Sequence, residues 1–231
     1  EGSQKRRLLR WSKENDLNLD YQMRLDFHRF SDKLDGVENN VIVAASLANQ
    51  YSETVSFGGT LAGHFSAYNR EPSSFSDMAL NFTPSFTFQE FYGKFTLGAS
   101  LLLDDGKVHP FPFLEVEGYL VEDRLTVYGG WDKDIVKTNY MGFAEANPFI
   151  RPYLAYENTL KESRYAGVRG SIVPLVSYNA KVVQRVYKNQ AYFINDSLDM
   201  KQFNVVYDST MISLGGIIEL GVKVAKKATL T

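Results

Sequence analysis

From Leu17 onward the chain alternates apolar and polar positions with a period of two. Leu17, Leu19, Tyr21, Met23, Leu25 and Phe27 alternate with Asn18, Asp20, Gln22, Arg24, Asp26 and His28. Such alternation marks a strand with one apolar face and one polar face. The pattern returns with Val41, Val43, Ala45 and Leu47, then with Val55, Phe57, Gly59, Leu61, Gly63, Phe65 and Ala67. Met78 to Phe88, Phe95 to Leu103, Leu114 to Leu120 and Leu125 to Trp131 continue it. After a gap it resumes at Ala166 to Ile172 and Tyr178 to Val186. Shorter runs at Ala191 to Ile194 and Phe203 to Tyr207 precede a last long one, Ile212 to Val222. The spacing predicts about twelve strands joined mainly by short turns, for which consecutive antiparallel hairpins are the simplest topology. Asp104-Asp105-Gly106-Lys107 reads as one such tight turn.

Two segments break the pattern. Residues 133 to 163 lose the alternation and carry Asn147-Pro148 and Arg151-Pro152, which predicts a long loop with room for a short helix. Loops of that length inside a compact domain are uncommon and often functional. Residues 1–16, with Lys5-Arg6-Arg7 and Arg10-Trp11, read as a basic lead-in, either a short helix or a frayed arm. A membrane-surface or partner contact is the alternative for this arm.

Alternation fits two architectures, a soluble barrel with the apolar face inside and a membrane barrel with that face on lipid. Three features favour the membrane. Several runs exceed the roughly 5 or 6 residues of a typical strand and reach the roughly 9 to 11 that cross a bilayer at a tilt. The polar face carries charges of both signs, Arg24, Asp26, Lys94, Glu115, Glu117, Arg169, Lys181, Arg185 and Glu219, which makes these the candidate lumen-facing residues. Tyr51, Tyr68, Tyr92, Tyr128 and Tyr187 sit near run ends, as in an interfacial aromatic girdle. The expected fold is therefore all-β: an antiparallel up-and-down transmembrane β-barrel of about twelve or more strands, possible as part of a larger barrel, over residues 17–231.

Composition narrows the function. The 231 residues hold 25 Lys and Arg against 27 Asp and Glu, a balance that argues against a nucleic-acid partner. Aromatics make up 14%, with 16 Phe and 14 Tyr, which suits pleated surfaces. Cys is absent, so disulfide frameworks, thiolate metal sites and a Cys nucleophile are excluded. The longest uncharged apolar run, Val41 to Ala48, is far short of a membrane helix. No signal peptide is visible in the opening Glu1-Gly2-Ser3-Gln4, and Ala228-Thr229-Leu230-Thr231 lacks a terminal aromatic. The expectation from these ends is a mature, truncated or cytosolic chain, and either a piece of a longer polypeptide or a barrel whose closing strand lies elsewhere.

Several strings in the second half carry a family likeness. They are Asn147-Pro148-Phe149-Ile150, Glu157-Asn158-Thr159, Tyr165 to Ile172, Ser177 to Val182, Tyr192 to Asp196 and Phe203 to Asp208. In this order, over roughly residues 140 to 210, the chain resembles the TonB-dependent-receptor-like outer-membrane barrel proteins of Bacteroidota. The resemblance implies an antiparallel barrel in the bacterial outer membrane. It does not imply TonB-driven transport, for which no plug domain or energy-coupling segment is visible.

Catalytic and metal chemistry find little support. His64 and Ser66 share a strand face, but neighbours two apart lie roughly 7 Å from each other, too far for a nucleophile–base hydrogen bond. Asp104-Asp105-Gly106 and Asp132-Lys133-Asp134 lack the spacing of a calcium loop. No enzyme activity, cofactor or metal is expected. The leading function is a pore or receptor-like protein for solute uptake, gated by the loop over residues 133 to 163. The alternatives are a non-transporting subunit of an outer-membrane assembly and a soluble barrel around an apolar ligand. Expected partners are outer-membrane lipid and outer-membrane or periplasmic proteins.

Overall fold

The computed structural model describes residues 3–13, 19–33, 35–71, 73–104, 106–121, 124–151, 156–173, 175–197 and 200–222. Leu17, Asn18, Asp105, Pro152 and the closing Ala228 to Thr231 lie outside the described residues. Eleven strands form one sheet in chain order, every neighbouring pair antiparallel. They are β1 (Ser3–Lys13), β2 (Leu19–Ser31), β3 (Val37–Gln50), β4 (Val55–Arg70), β5 (Ser73–Glu90), β6 (Gly93–Asp104), β7 (Lys107–Val121), β8 (Leu125–Val136), β9 (Thr159–Val173), β10 (Val176–Asn195) and β11 (Phe203–Val222). One short helix, α1 (Tyr140–Ala146), interrupts the connection from β8 to β9.

Three differences from the sequence reading have local causes. The basic lead-in, expected as a helix or an arm, is strand β1, zipped to β2 from Ser3↔Ser31 to Lys13↔Tyr21. The runs at Tyr178 and Ala191 are one strand, β10, broken in pattern by Asn189, whose φ of 62° places it in the left-handed region. The runs at Phe203 and Ile212 are likewise one strand, β11, because Asp208 and Thr210 put polar side chains where the apolar series would continue. Two mergers and one added strand turn the expected twelve into eleven.

The apolar face is the exposed one. Phe57, Leu61, Phe82, Leu97, Leu101, Leu214 and Ile218 are all exposed to the surroundings. Asp26, Glu38, Asn40, Ser66, Thr96 and Ser100 on the opposite face are buried. That polar face is concave, since the connection after β8 reaches across it from β2–β4 to β10–β11. The reading of a soluble barrel around an apolar ligand is thereby corrected: the concave side offers polar groups, and the apolar surface points away. On β11 the apolar run climbs from Val222 to Ile212. At about 3.3 Å per residue and a tilt of about 40° it rises roughly 25 Å, the height of the lipid-facing band of an outer-membrane barrel. Beyond Ile212 the strand continues past that band.

The two ends of the sheet differ. One carries short turns, such as those between β5 and β6 and between β9 and β10. The other carries the connections after β2, β8 and β10 and the turn at Gly106, whose φ of 72° suits a glycine.

Candidate functional site

The connection from β8 to β9 folds inward onto the concave face. Its anchor is α1, a helix whose first N–H groups have no partner within the helix. Asn139 caps it, its side-chain oxygen accepting from the Gly142 N–H at 2.9 Å. Glu38 on β3 completes the cap from across the chain, its carboxylate accepting from the N–H of Tyr140 at 3.0 Å and of Met141 at 2.7 Å. A negative charge at this end also meets the positive pole of the helix dipole. Glu38 is fully buried, so these bonds stand in for the water it has lost.

Further ties surround the cap. The Tyr140 hydroxyl donates to Asp32 at 2.9 Å, and the Asn139 amide donates to Asn40 at 3.0 Å. Tyr68, Tyr140, Phe143 and Ile150 form a buried cluster, flanked by Phe30, Phe75 and Tyr156. Tyr68 and Tyr140 meet edge to face at 5.2 Å, and Phe143 reaches Phe193 of β10 at 5.8 Å. Aromatic pairs of this geometry contribute about 0.5–1.5 kcal/mol each beyond their burial. Desolvation in this cluster raises the Tyr140 and Tyr156 hydroxyl pKa values above the usual phenol range.

The far side of the connection is held by backbone. Ile150 makes a parallel bridge to Phe203, with the Arg151 N–H donating to the Phe203 carbonyl at 2.9 Å. Arg151 also pairs with the buried Asp196 at 2.5 Å. On the return, Asn158 donates to Asp77 at 2.9 Å and to Asp104 at 2.6 Å. Lys137 forms an ion pair with Asp77, and burial lowers its pKa to about 8.

The supporting hairpin leans with the connection. Pairing of β7 with β8 stops at Leu114↔Trp131, whereas β8 and β9 stay zipped up to Val136↔Thr159. Above that point the β8 tip approaches β5, where Asn81 donates to Asp134 at 3.3 Å. A cavity of about 460 Å³ lies between this hairpin and the wall, with Lys94, Thr96, Ser100 and Glu115 among its lining. Its hydroxyls are already paired side by side, Thr83 with Ser100 and Thr87 with Thr96, each at 3.0 Å.

The nine charged residues singled out from the sequence all fall on the concave face, and pairing register explains why. Arg24 pairs with Asp26 on β2. Arg169 on β9 pairs with Glu117 on β7 at 2.7 Å and lies over the Tyr128 ring. Glu115 accepts from the Tyr165 hydroxyl at 2.9 Å, and Lys181 lies over the Tyr165 ring. Glu219 accepts from Asn179 at 2.7 Å. Lys94 and Arg185 share the face, each partly exposed. The contacts described for these groups are with one another and with neighbouring wall residues, forming a ladder along the wall.

Other expectations resolve differently. Ser66 donates to Asn40 at 2.6 Å rather than engaging His64. Of the five tyrosines read as a girdle, Tyr51 and Tyr92 are exposed at the short-turn end, but Tyr68 is buried in the cluster and Tyr128 faces inward to Asn179. Tyr187 is on the concave face as well. Among the described residues no group of His, Asp and Glu is arranged to hold a metal ion. The sequence reading missed Asp32, Glu38, Asp77 and Lys137. The available signal was Asn139, a good helix N-cap residue placed just inside a loop.

The fold is an antiparallel up-and-down sheet of the kind that walls outer-membrane receptor barrels. Against solved structures, the chain matches the siderophore receptor PirA from Pseudomonas aeruginosa with a TM-score of 0.67 at 10% identity, over 93% of this chain and 43% of that one. It matches a structure of the FpvAI–pyocin S2 complex with a TM-score of 0.58 at 8% identity, over 96% of this chain and 39% of that one. The chain thus spans about two fifths of the length of these structures. No protein-family model matches it, and no curated protein does.

Proposed function

We propose that this sheet is part of the wall of an outer-membrane receptor-type barrel for solute uptake, and that the β8–β9 connection is its gate. One observation carries the reading: the connection lies across the polar concave face and is capped there by Glu38. A polar lumen would replace a solute's lost hydration, and the charged ladder from Glu117 and Arg169 to Glu219 would set which solutes pass. The end carrying the longer connections would face outward from the cell, as in other barrels of this kind. Bacterial outer membrane is the location this implies.

The test is replacement of residues 138 to 157 by a short Gly-Ser link in the full-length protein, followed by conductance and solute-binding measurements in planar bilayers. Raised conductance or altered binding is expected. Unchanged conductance and affinity would reject the gate.

A second reading, a non-transporting barrel subunit of an outer-membrane assembly, draws on the packing of the aromatic cluster, which fills the space a solute would need. One of the matched structures is itself a complex with a protein, pyocin S2. Stoichiometric proteins copurifying in mild detergent, with no channel activity, would favour this second reading.

A further inference from the structure

We propose that the seam between β7 and β8 is a lateral cleft that takes a bilayer lipid with a phosphate head group. The inference rests on the outer-membrane reading of the sheet. The first observation is the break in the wall. Neighbouring strands elsewhere are zipped over nearly all of their shared length, but Lys107 to Phe113 of β7 and Asp132 to Val136 of β8 are not paired with each other. The second is its cause. Pro110 and Pro112 lie two apart, so both strip N–H groups from the same edge. Pairing with β6 runs through both, Leu101↔Pro110 and Ala99↔Pro112, so the stripped edge is the one towards β8. No strand can dock on that edge with a full ladder, which excludes repair by a partner's strand.

The chemistry of the banks selects the occupant. One bank is apolar and faces outward: Val108, Pro110 and Pro112 are exposed. The other holds two cations against one carboxylate. Glu162 pairs with Arg164 at 2.6 Å and with Lys133 at 3.4 Å, and accepts from the Trp131 indole at 3.0 Å. Lys133 is buried with its ammonium 3.5 Å from the centre of the Phe111 ring, so side chains rather than backbone close the seam from within. Arg164 is the exposed member of the trio, 57% exposed while paired with Glu162 and stacked over Trp131. An acyl chain fits the proline bank, and an anionic phosphate fits the surplus positive charge at Arg164.

The experiment uses the full-length protein in phosphatidylcholine vesicles containing a minority of phosphatidylglycerol, with p-benzoylphenylalanine in place of Leu114 at the foot of the seam. Photocrosslinking should enrich phosphatidylglycerol over phosphatidylcholine. Arg164→Gln should reduce that enrichment about fivefold, the worth of one basic group near a membrane surface. The double variant Pro110→Val, Pro112→Thr, which restores the missing N–H groups, should lose the lipid adduct while keeping the strand content of the parent. Equal adducts with both lipids, enrichment unchanged in Arg164→Gln, or crosslinks to polypeptide instead would overturn the cleft and leave the barrel reading intact. Failure of the parent protein to insert into vesicles would overturn the barrel reading itself.

Discussion

The carboxylate of Glu38 shares with Asn139 the N-terminal cap of the helix that begins at Tyr140, across 102 positions of sequence. A strand residue thus holds a helix that belongs to a different hairpin. The Tyr140 N–H it receives is buried, and leaving such a group without a partner costs about 1–3 kcal/mol. Glu38→Ala is therefore expected to weaken docking of the connection by about 2 kcal/mol, a shift of roughly 30-fold in the undocked population. Amide hydrogen exchange at residues 140 to 143 measures this. Exchange as slow as in the parent protein would show that the aromatic cluster alone suffices.

Tyr140→Phe removes the hydroxyl that reaches Asp32 and keeps the ring in the cluster. A bond to a charged acceptor is worth about 1.5–3 kcal/mol. Because Tyr140 and Glu38 grip the same turn, the double variant should show a coupling of about 0.5–3 kcal/mol. Strict additivity in a double-mutant cycle would mean that the two grips act independently.

Lys137 gives the docked connection a pH dependence. Its pKa is lowered to about 8 when docked, whereas a free lysine titrates near 10.4. Between these values the undocked state holds more protons, so raising the pH favours docking, and the gain is lost as pH falls through about 8. Open probability in single-channel records should fall from pH 7 towards pH 10, and Lys137→Met should flatten that slope. A rising open probability in the parent protein would contradict the burial of this ammonium.

Arg169 and Glu117 form an exposed pair on the ladder. Arg169→Gln leaves the carboxylate without its cation, so the cation-to-anion permeability ratio should rise, roughly twofold, with little change in stability. Reversal potentials under a salt gradient report the ratio. An unchanged ratio would place the permeation path away from β7 and β9.

Period-two alternation assigned the faces of the strands it located, because register in a sheet moves every side chain together. It put Arg24, Glu115 and Glu219 on one side without any knowledge of which strands were neighbours. It failed at Asp208 and Thr210, where β11 climbs past the apolar band and polar residues appear on the outer face. It failed at Tyr68 too, since a ring near a strand end reads the same whether it meets lipid headgroups or a folded-in loop. Glu38 was illegible for a related reason: its role depends on a helix contributed by a distant connection, and nothing local distinguishes it from any inward carboxylate. Pro110 and Pro112 were legible in principle, as two missing donors on one edge, but their meaning required knowing which neighbour each edge faces.

An up-and-down sheet of eleven strands has an odd count, so β1 and β11 run in the same direction. Each has one strand neighbour among the described residues. Any meander that bridges from one outer edge to the other with antiparallel seams must itself contain an odd number of strands, making the closed total even, as in bacterial single-chain barrels. Two copies of this sheet standing upright side by side in one membrane would instead meet along two parallel seams. Direct β1-to-β11 contact would make one. The parity of the count thus sets apart the ways in which this wall can become a ring, before any side chain is considered.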